Sequence, residues 1–371
     1  MKKVCILTSK AKDDVRLYSK ESKTLLNAGY EVHYVCPNVE DGLHNGIHYH
    51  GVRFQFGSNL KRFLYLSRIT VKKALEVDAD IYSFNDPAIL PYIRKFKKRG
   101  KKVIFDALED HPSLLKVRPG WPSILCNILS WTYEKYEGHQ VGKCDGVFVC
   151  YHWTKKRLSK YCNNIEMVFN FPLLSNNDTT ILTKESLSKK KSITLCYAGT
   201  ISKEWNIHNV IKATERFNNV RFLLAGWANE DLMNELKELP GWKNVDFLGR
   251  VNKDEVIEKV YNKADIGVAL YHYCPLCHGN VGNLSNNKLF EYMYAGLPII
   301  CTDYKLWGEI IDKYHLGETA KPDDVDAIVN AIRKIITDSS DSYGKRGFEA
   351  VTNEYNWNAQ EEQFLNVYRK L

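Results

Sequence analysis

Short apolar runs alternate with stretches of helical period along nearly the whole chain, and this alternation leaves few folds open. The runs are Val4–Leu7, Glu31–Val35, Ile81–Phe84, Val103–Phe105 and Val147–Val149, each bounded by Gly, Asp, Asn, Pro or a charged helix end. Between them lie helical stretches such as Val15–Ala28, Ala88–Lys98 and Tyr151–Tyr161. A strand followed by a helix and another strand packs as a right-handed βαβ unit, so the repeated pattern predicts a parallel sheet. The alternation stalls over Leu173–Lys191, which holds Ser-Asn-Asn-Asp-Thr-Thr and Lys-Lys-Lys and few apolar residues. It then resumes with Thr194–Tyr197, Val220–Ala225, Val245–Phe247, Ile266–Leu270 and Pro298–Cys301. The last stretch, Trp357–Leu371, is amphipathic, with Phe364, Val367 and Tyr368 at helical spacing.

A chain of 371 residues is long for one core and fits two. The expected fold is α/β, with two facing Rossmann-like doubly wound domains and a cleft between them. The expected boundaries are residues 1–172 for the first domain, 173–192 for a linker, 193–355 for the second domain and 356–371 for a C-terminal helix. Open α/β sheets bind ligands beyond the carboxyl ends of their strands, so chemistry is expected in the loops that follow strands.

The bulk properties narrow the function classes. No apolar run approaches the roughly 20 residues that span a bilayer. Met1-Lys2-Lys3 runs into Val4-Cys5-Ile6-Leu7, too short an apolar stretch for a signal peptide, and reads as the first buried strand. The ten cysteines are scattered, several inside expected strands (Cys5, Cys150, Cys196, Cys301), and read as buried free thiols of a cytoplasmic chain. A formal net charge of +8 suits an anionic substrate or an anionic membrane surface. No recognised nucleic-acid module accompanies it, and no nucleic-acid partner is expected. A dehydrogenase would carry a glycine-rich turn after its first strand, and Thr8–Asp13 holds no glycine.

The segment richest in chemistry is Asn283-Leu-Ser-Asn-Asn-Lys-Leu-Phe-Glu291-Tyr-Met-Tyr-Ala-Gly-Leu-Pro. Ser285, Asn286 and Asn287 are candidate caps for a helix through Met293, and Gly296 with Pro298 ends it. Free backbone N–H groups at such a helix start suit a phosphate. Lys288 is a cation in the first turn, where the helix dipole disfavours one unless an anion binds there. Glu291 lies about one turn further on, where its carboxylate can accept from ribose hydroxyls. An ordinary capped helix with a surface Lys and Glu explains the same residues.

This segment resembles the signature region of glycosyltransferase family 4, whose members have the GT-B fold and retain the anomeric configuration. The resemblance extends along the chain. It takes in Asp14–Glu21 with Ala28-Gly29-Tyr30, and Val103–Pro112 with its Glu109-Asp110-His111. It continues through Asn170-Phe-Pro172, Tyr197-Ala-Gly199, Phe247-Leu-Gly249-Arg250, Ala264-Asp265 and Tyr355-Asn-Trp357. It implies an acceptor-side first domain, a donor-binding second domain and a last helix that returns to the first. Glu291 matches the glutamate that holds the donor ribose, and Asn283 stands where the family has a glutamate facing the transferred sugar. Gly199 matches the turn at the donor diphosphate. Where many members carry Arg and Lys after that glycine, this chain has Thr200 and Trp205, with Lys203 nearby; where the acceptor segment often has His, it has Leu108.

The implied function is a retaining glycosyltransferase of the hexosyl or N-acetylhexosaminyl type, placed in bacterial surface polysaccharide synthesis. It would move a sugar from a nucleotide-sugar, UDP- in preference to GDP-linked, to a saccharide or lipid-linked saccharide. The nucleotide-sugar is a substrate; no cofactor and no metal are expected. The donor side is assigned to Gly199, Thr200, Lys203, Arg250, Asn283, Ser285, Asn286, Asn287, Lys288, Leu289 and Glu291. Acceptor binding is assigned to Arg16, Asn85 and His111, and catalysis to Asp86, Glu109 and Asp110, against helix capping ahead of Pro87 and Pro112. The amide of Asn283 tolerates an acetamido or acidic sugar, unless it only caps a turn after Gly282. A sugar-nucleotide epimerase or hydrolase, and a non-catalytic sugar-nucleotide binder, are the rival readings.

Other signals point elsewhere. Cys274-Pro-Leu-Cys277-His278 fits a haem-attachment pattern but reads as a loop beside the donor site. Asp78-Ala-Asp80 precedes a strand, where ligands do not bind. Asn177-Asp-Thr179 and Asn283-Leu-Ser285 are sequons without meaning in a cytoplasmic chain. Basic clusters at Lys61-Arg62, Lys72-Lys73, Arg94–Lys102 and Lys155-Lys156-Arg157 lie among Phe63, Tyr65 and Phe96. The apolar stretch Trp121–Tyr133 reads either as a core helix or, with those clusters, as a peripheral contact with the inner face of the plasma membrane.

Overall fold

The computed structural model describes residues 1–9, 14–54, 65–118, 120–174, 187–338 and 342–371. Lys61-Arg62, Phe63, the Asn177 sequon, most of the expected linker and part of the glycine-free Thr8–Asp13 turn lie outside the described residues. The chain divides into two compact units, Met1–Leu173 with Gln360–Leu371, and Leu174–Ala359.

In the first unit the strands are β1 (Lys3–Leu7), β2 (Glu31–Pro37), β3 (Gly42–His44), β4 (Ile47–Val52), β5 (Ile81–Phe84), β6 (Lys102–Ala107), β7 (Gly146–Val149) and β8 (Ile165–Met167). Among the described residues they form an eight-stranded sheet in the order β3-β4-β2-β1-β5-β6-β7-β8. Every pairing is parallel except that of β3 with β4. Strands buried on both faces read as continuous apolar runs, which is why β1, β5 and β7 were legible. β4 was not: Ile47-His-Tyr-His-Gly-Val alternates, and its histidines hide the strand. The stretch Val15–Asn27 begins with π-type turns over Val15–Ser22 capped by Asp14, whose carboxylate accepts from the Leu17 N–H at 3.0 Å. The C-terminal helix Asn358–Arg369 packs on this unit through Phe364, Val367 and Tyr368, all fully buried. Phe364 stacks on Phe148 of β7 at 4.9 Å.

The second unit has β9 (Ile193–Thr200), β10 (Val220–Trp227), β11 (Val245–Gly249), β12 (Ile266–Ala269), β13 (Ile299–Thr302) and β14 (Gly317–Ala320). Its described strands form a wholly parallel six-stranded sheet, β11-β10-β9-β12-β13-β14. In both sheets the chain first winds outward on one side and then resumes on the other. The switch points fall between β1 and β5 and between β9 and β12. At a switch point the loops leave two neighbouring strands in opposite directions and open a crevice beyond their carboxyl ends.

Candidate functional site

Two loops part at the switch point of the second unit, one after β9 and one after β12. Backbone approaches closely here. A side chain at Gly226, ending β10, would put its Cβ 1.9 Å from the Gly199 carbonyl, and one at Gly199 would meet the Lys288 Cε at 3.3 Å. The turn after β9 is thus cut back to let the Lys288 side chain lie against it. The loop after β12 is tied to the first by the His272 N–H donating to the Glu204 carbonyl at 2.9 Å and by the Trp205 and Tyr271 rings at 4.5 Å.

That second loop ends in the helix Asn287–Tyr294. Asn286 caps it, its Oδ1 accepting from the Lys288 N–H at 3.0 Å and from the Tyr271 hydroxyl at 3.4 Å. Leu289, Phe290, Tyr292 and Met293 are buried, and the Tyr292 ring occupies the space that any side chain at Gly267 of β12 would need. Its hydroxyl donates to the Val268 carbonyl at 3.0 Å. This apolar face fixes the helix, so Lys288 and Glu291 stand on its other side, 19% and 25% exposed. The Lys288 ammonium lies 2.6 Å from Glu291 Oε2, and the Tyr261 hydroxyl donates to the same oxygen at 2.6 Å. Burial pushes the Glu291 carboxyl up, but Lys288 and Tyr261 outweigh it and hold the group below the usual carboxylate range. The result is an ionised carboxylate and an ammonium beside a helix N-terminus and a glycine turn, an arrangement able to take a phosphate and a pair of hydroxyls.

The other donor-side expectations fare differently. Asn283 closes a turn, its Oδ1 accepting from the Ser285 N–H at 3.1 Å and its carbonyl from Trp307 Nε1 at 2.7 Å, so its amide serves the loop first. Leu289 is a core residue, and its side chain has no face toward a ligand. Lys203 is 71% exposed and paired with Glu235 at 3.3 Å, on the surface rather than against the glycine turn. Thr200 and Arg250 are exposed at the ends of β9 and β11. Tyr261 and Tyr271 were missed: they touch the site through the tertiary fold, with no motif around either. Cys274 and Cys277 flank a 3-10 turn in the same loop, with the Asn283 amide 3.7 Å from Cys277 Sγ. A hydrogen bond from the Cys277 thiol, helped by backbone N–H groups, brings the Cys274 thiol down to about 6, and Cys277 is correspondingly raised.

The switch point of the first unit gathers Ser9 after β1, Asn85-Asp86 after β5 and Glu109–His111 after β6. Most of its charges are consumed internally. Arg16, expected to bind acceptor, is 2% exposed. It donates to Asp106 at 2.8 and 3.1 Å, to Glu21 at 2.9 Å and to the Val168 carbonyl at 3.1 Å, and so holds the fold. Asp110, expected to be catalytic, is buried and accepts from Ser113 at 2.5 Å and Trp153 Nε1 at 2.9 Å, with Arg157 at 3.5 Å. Asp86 caps the 3-10 turn Pro87–Tyr92 through the Ala88 N–H at 2.9 Å and accepts from the Ser9 hydroxyl. Capping, the rival reading, thus accounts for its carboxylate. Glu109 is exposed. Asn85 is the opposite case: it is 5% exposed, and neither its Oδ1 nor its Nδ2 has a partner among the described residues. A buried amide without partners carries a desolvation cost that a ligand hydroxyl would remove.

His111 lines a pocket of about 360 Å³ with Pro87, Leu114, Leu115, Val117, Arg118 and Tyr133. Beside it runs the helix Ser123–Val141. Trp121, Ile124, Leu125, Ile128 and Trp131 are exposed, up to 68% for Ile124, so the core-helix reading of this stretch fails. Part of the basic clusters is engaged in ion pairs: Lys97 and Lys102 pair with Asp145, Lys101 with Asp78, Lys73 with Asp41, and Arg157 with Glu137. Among the described residues no helix is long and apolar enough to cross a membrane.

Residues 178–349 match the model of the family described as glycosyl transferases group 1. No curated protein matches the chain in sequence. Solved structures share its fold along its whole length. A sucrose-phosphate synthase from Thermosynechococcus elongatus aligns with a TM-score of 0.72 at 15% identity, covering 100% of this chain and 99% of that one. HepE of Anabaena, in complex with UDP and glucose, aligns with a TM-score of 0.70 at 14% identity, covering both chains fully. A trehalose-6-phosphate protein from E. coli, bound with UDP-2-fluoro glucose, aligns with a TM-score of 0.72 at 12% identity, covering 100% and 99%. The fold is that of the GT-B glycosyltransferases, with two parallel-sheet α/β domains.

Proposed function

We propose that this chain is a glycosyltransferase whose second unit binds a nucleotide-sugar donor and whose first unit takes the acceptor. The observation that carries the reading is the meeting of Gly199, Lys288 and Glu291 at the switch point of a unit that matches the group 1 family. The donor diphosphate would lie against the Gly199 turn and the start of helix Asn287–Tyr294, with Lys288 balancing its charge. Glu291 would exchange its contacts with Lys288 and Tyr261 for ribose hydroxyls. We take UDP as the nucleotide, because HepE and the E. coli protein are solved with UDP or a UDP-sugar.

The reaction we assign is retaining transfer. The nucleoside diphosphate leaves and the acceptor hydroxyl arrives on the same face of the sugar, its proton passing to the leaving phosphate. The protein then acts by positioning and by stabilising charge that grows on the diphosphate. Asn85 and His111 are the acceptor contacts we retain. The exposed apolar residues from Trp121 to Trp131, on the stretch that also supplies Tyr133 to the His111 pocket, suit a lipid-linked saccharide presented at a membrane, and surface polysaccharide synthesis on the cytoplasmic face of that membrane is the matching role. Adsorption should rest on that apolar face together with the cluster residues outside those ion pairs, and the electrostatic share of it should weaken as salt rises.

Calorimetry of the full chain with UDP and GDP, followed by product analysis with UDP-sugars, tests the donor assignment. UDP binding with turnover only when a saccharide acceptor is present supports it. Donor consumption without an acceptor would favour the epimerase or hydrolase reading, and absence of UDP binding would end the proposal. Vesicle flotation of the wild type and Trp131→Ser tests the apolar face; equal flotation of both would remove it.

A further inference from the structure

Three histidines and a glutamate gather on the first sheet, Glu31 and His33 at the start of β2 and His48 and His50 within β4. Residues two apart on a strand share a face, so Glu31 and His33 stand together on β2 and His48 and His50 together on β4. The strands are parallel, with His33 opposite His48 and Val35 opposite His50. That face also carries Val35 and Val52, which join the core of this unit with Val71 and Ala74. The rings stack closely, His33 with His48 at 4.7 Å and with His50 at 5.1 Å. One ligating atom from each of Glu31, His33 and His48 lies within 4.8 Å of the others. His33 Nε2 is 2.8 Å from Glu31 Oε1, and His33 Nδ1 is 2.8 Å from His50 Nε2.

We propose that Glu31, His33 and His48 form a binding site for a divalent transition-metal ion of the zinc class, with His50 as the group that orients His33. The donor set is two imidazoles and one carboxylate, which suits zinc and its neighbours rather than calcium or magnesium. A carboxylate and an imidazole nitrogen at 2.8 Å share one proton, and the metal takes that proton's place between Glu31 and His33 Nε2. His50 Nε2 then accepts from His33 Nδ1–H and fixes the tautomer that leaves Nε2 free, the usual arrangement around a ligating histidine. The site joins β2 to β4 across their ladder, so metal bound here adds to the stability of the folded chain. One feature opposes it: the Lys3 ammonium lies 3.7 Å from Glu31 Oε1 and repels a cation.

Zinc is titrated into the chelator-stripped full chain against a chromophoric chelator, with thermal unfolding followed in parallel. The expected result is one zinc per chain and a raised Tm. His48→Ala and Glu31→Gln should weaken binding at least tenfold, and His50→Ala about tenfold. Lys3→Met should tighten binding severalfold, and this variant keeps the test decisive if a histidine variant folds poorly. His315→Ala, on the second unit, should leave binding unchanged. The proposal is overturned if the wild type binds no zinc at that stoichiometry. It is equally overturned if His48→Ala and Lys3→Met both bind as the wild type does, which would mark adventitious surface binding.

Discussion

At the switch point of the second unit Lys288 and Glu291 stand side by side, partly exposed, on a helix held entirely by its apolar face. At the switch point of the first unit Arg16, Asp86 and Asp110 are buried under partners from their own unit, the buried amide of Asn85 has no partner among the described residues, His111 lines a pocket, and Glu109 is the carboxylate left exposed. The same topological position is thus furnished in two ways. A diphosphate carries full charge and calls for a cation and free N–H groups, whereas sugar hydroxyls need only neutral donors and acceptors. Charged residues at the end of a strand are therefore poor evidence of chemistry until their partners are known.

The largest effect expected is on the fold of the first unit. Arg16→Met leaves Glu21 and Asp106 buried without their counter-charge and should cost about 3–5 kcal/mol of stability. Urea denaturation reads it, and a loss under about 1 kcal/mol would return Arg16 to the list of ligand contacts. Glu291→Ala should do the reverse, lowering UDP affinity by about 2–4 kcal/mol through lost charge-assisted hydrogen bonds while leaving unfolding nearly unchanged. Unaltered affinity in calorimetry would remove the ribose assignment and with it the contrast between the two sites.

Asn85→Ala sharpens the comparison from the acceptor side. It removes a buried amide that has no partner among the described residues, so stability should hold or rise slightly, while transfer should slow about tenfold with donor affinity intact. A large loss of stability without loss of transfer would make Asn85 a structural residue like Asp110. The smallest effect concerns the cysteines. Cys274, held at about 6 by the Cys277 thiol, is mostly thiolate at neutral pH. Burial pushes Cys5 and Cys301 up, so they stay protonated and inert. Mass-mapped alkylation at Cys274 should rise with pH and level off above about pH 7; a rise continuing to pH 9 would show an ordinary thiol.

Much of the fold was legible because parallel strands and amphipathic helices write their burial into their periodicity. Val4–Leu7, Ile81–Phe84 and the Phe364–Tyr368 spacing needed no partner to be read. β3, β4, β8 and β14 were missed, being short or, in β4, interrupted by histidines. The helix Asn287–Tyr294 was legible for a related reason: caps, a terminal glycine and an apolar stripe are local signals.

The sequence by itself determined most of the strands and helices and the loops that follow those strands. Only the tertiary structure decided which polar residues in those loops are still available. Arg16, Asp86 and Asp110 lost that standing to partners far away in the chain, Asp106 lying 90 residues from Arg16 and Trp153 lying 43 from Asp110. Tyr261 gained it through Glu291, 30 residues on, and His33 met His50 across a strand ladder. Periodicity is a property of neighbours along the chain, whereas the pairing of a charge depends on whatever the fold brings within about 3 Å of it, and sequence order does not record that distance.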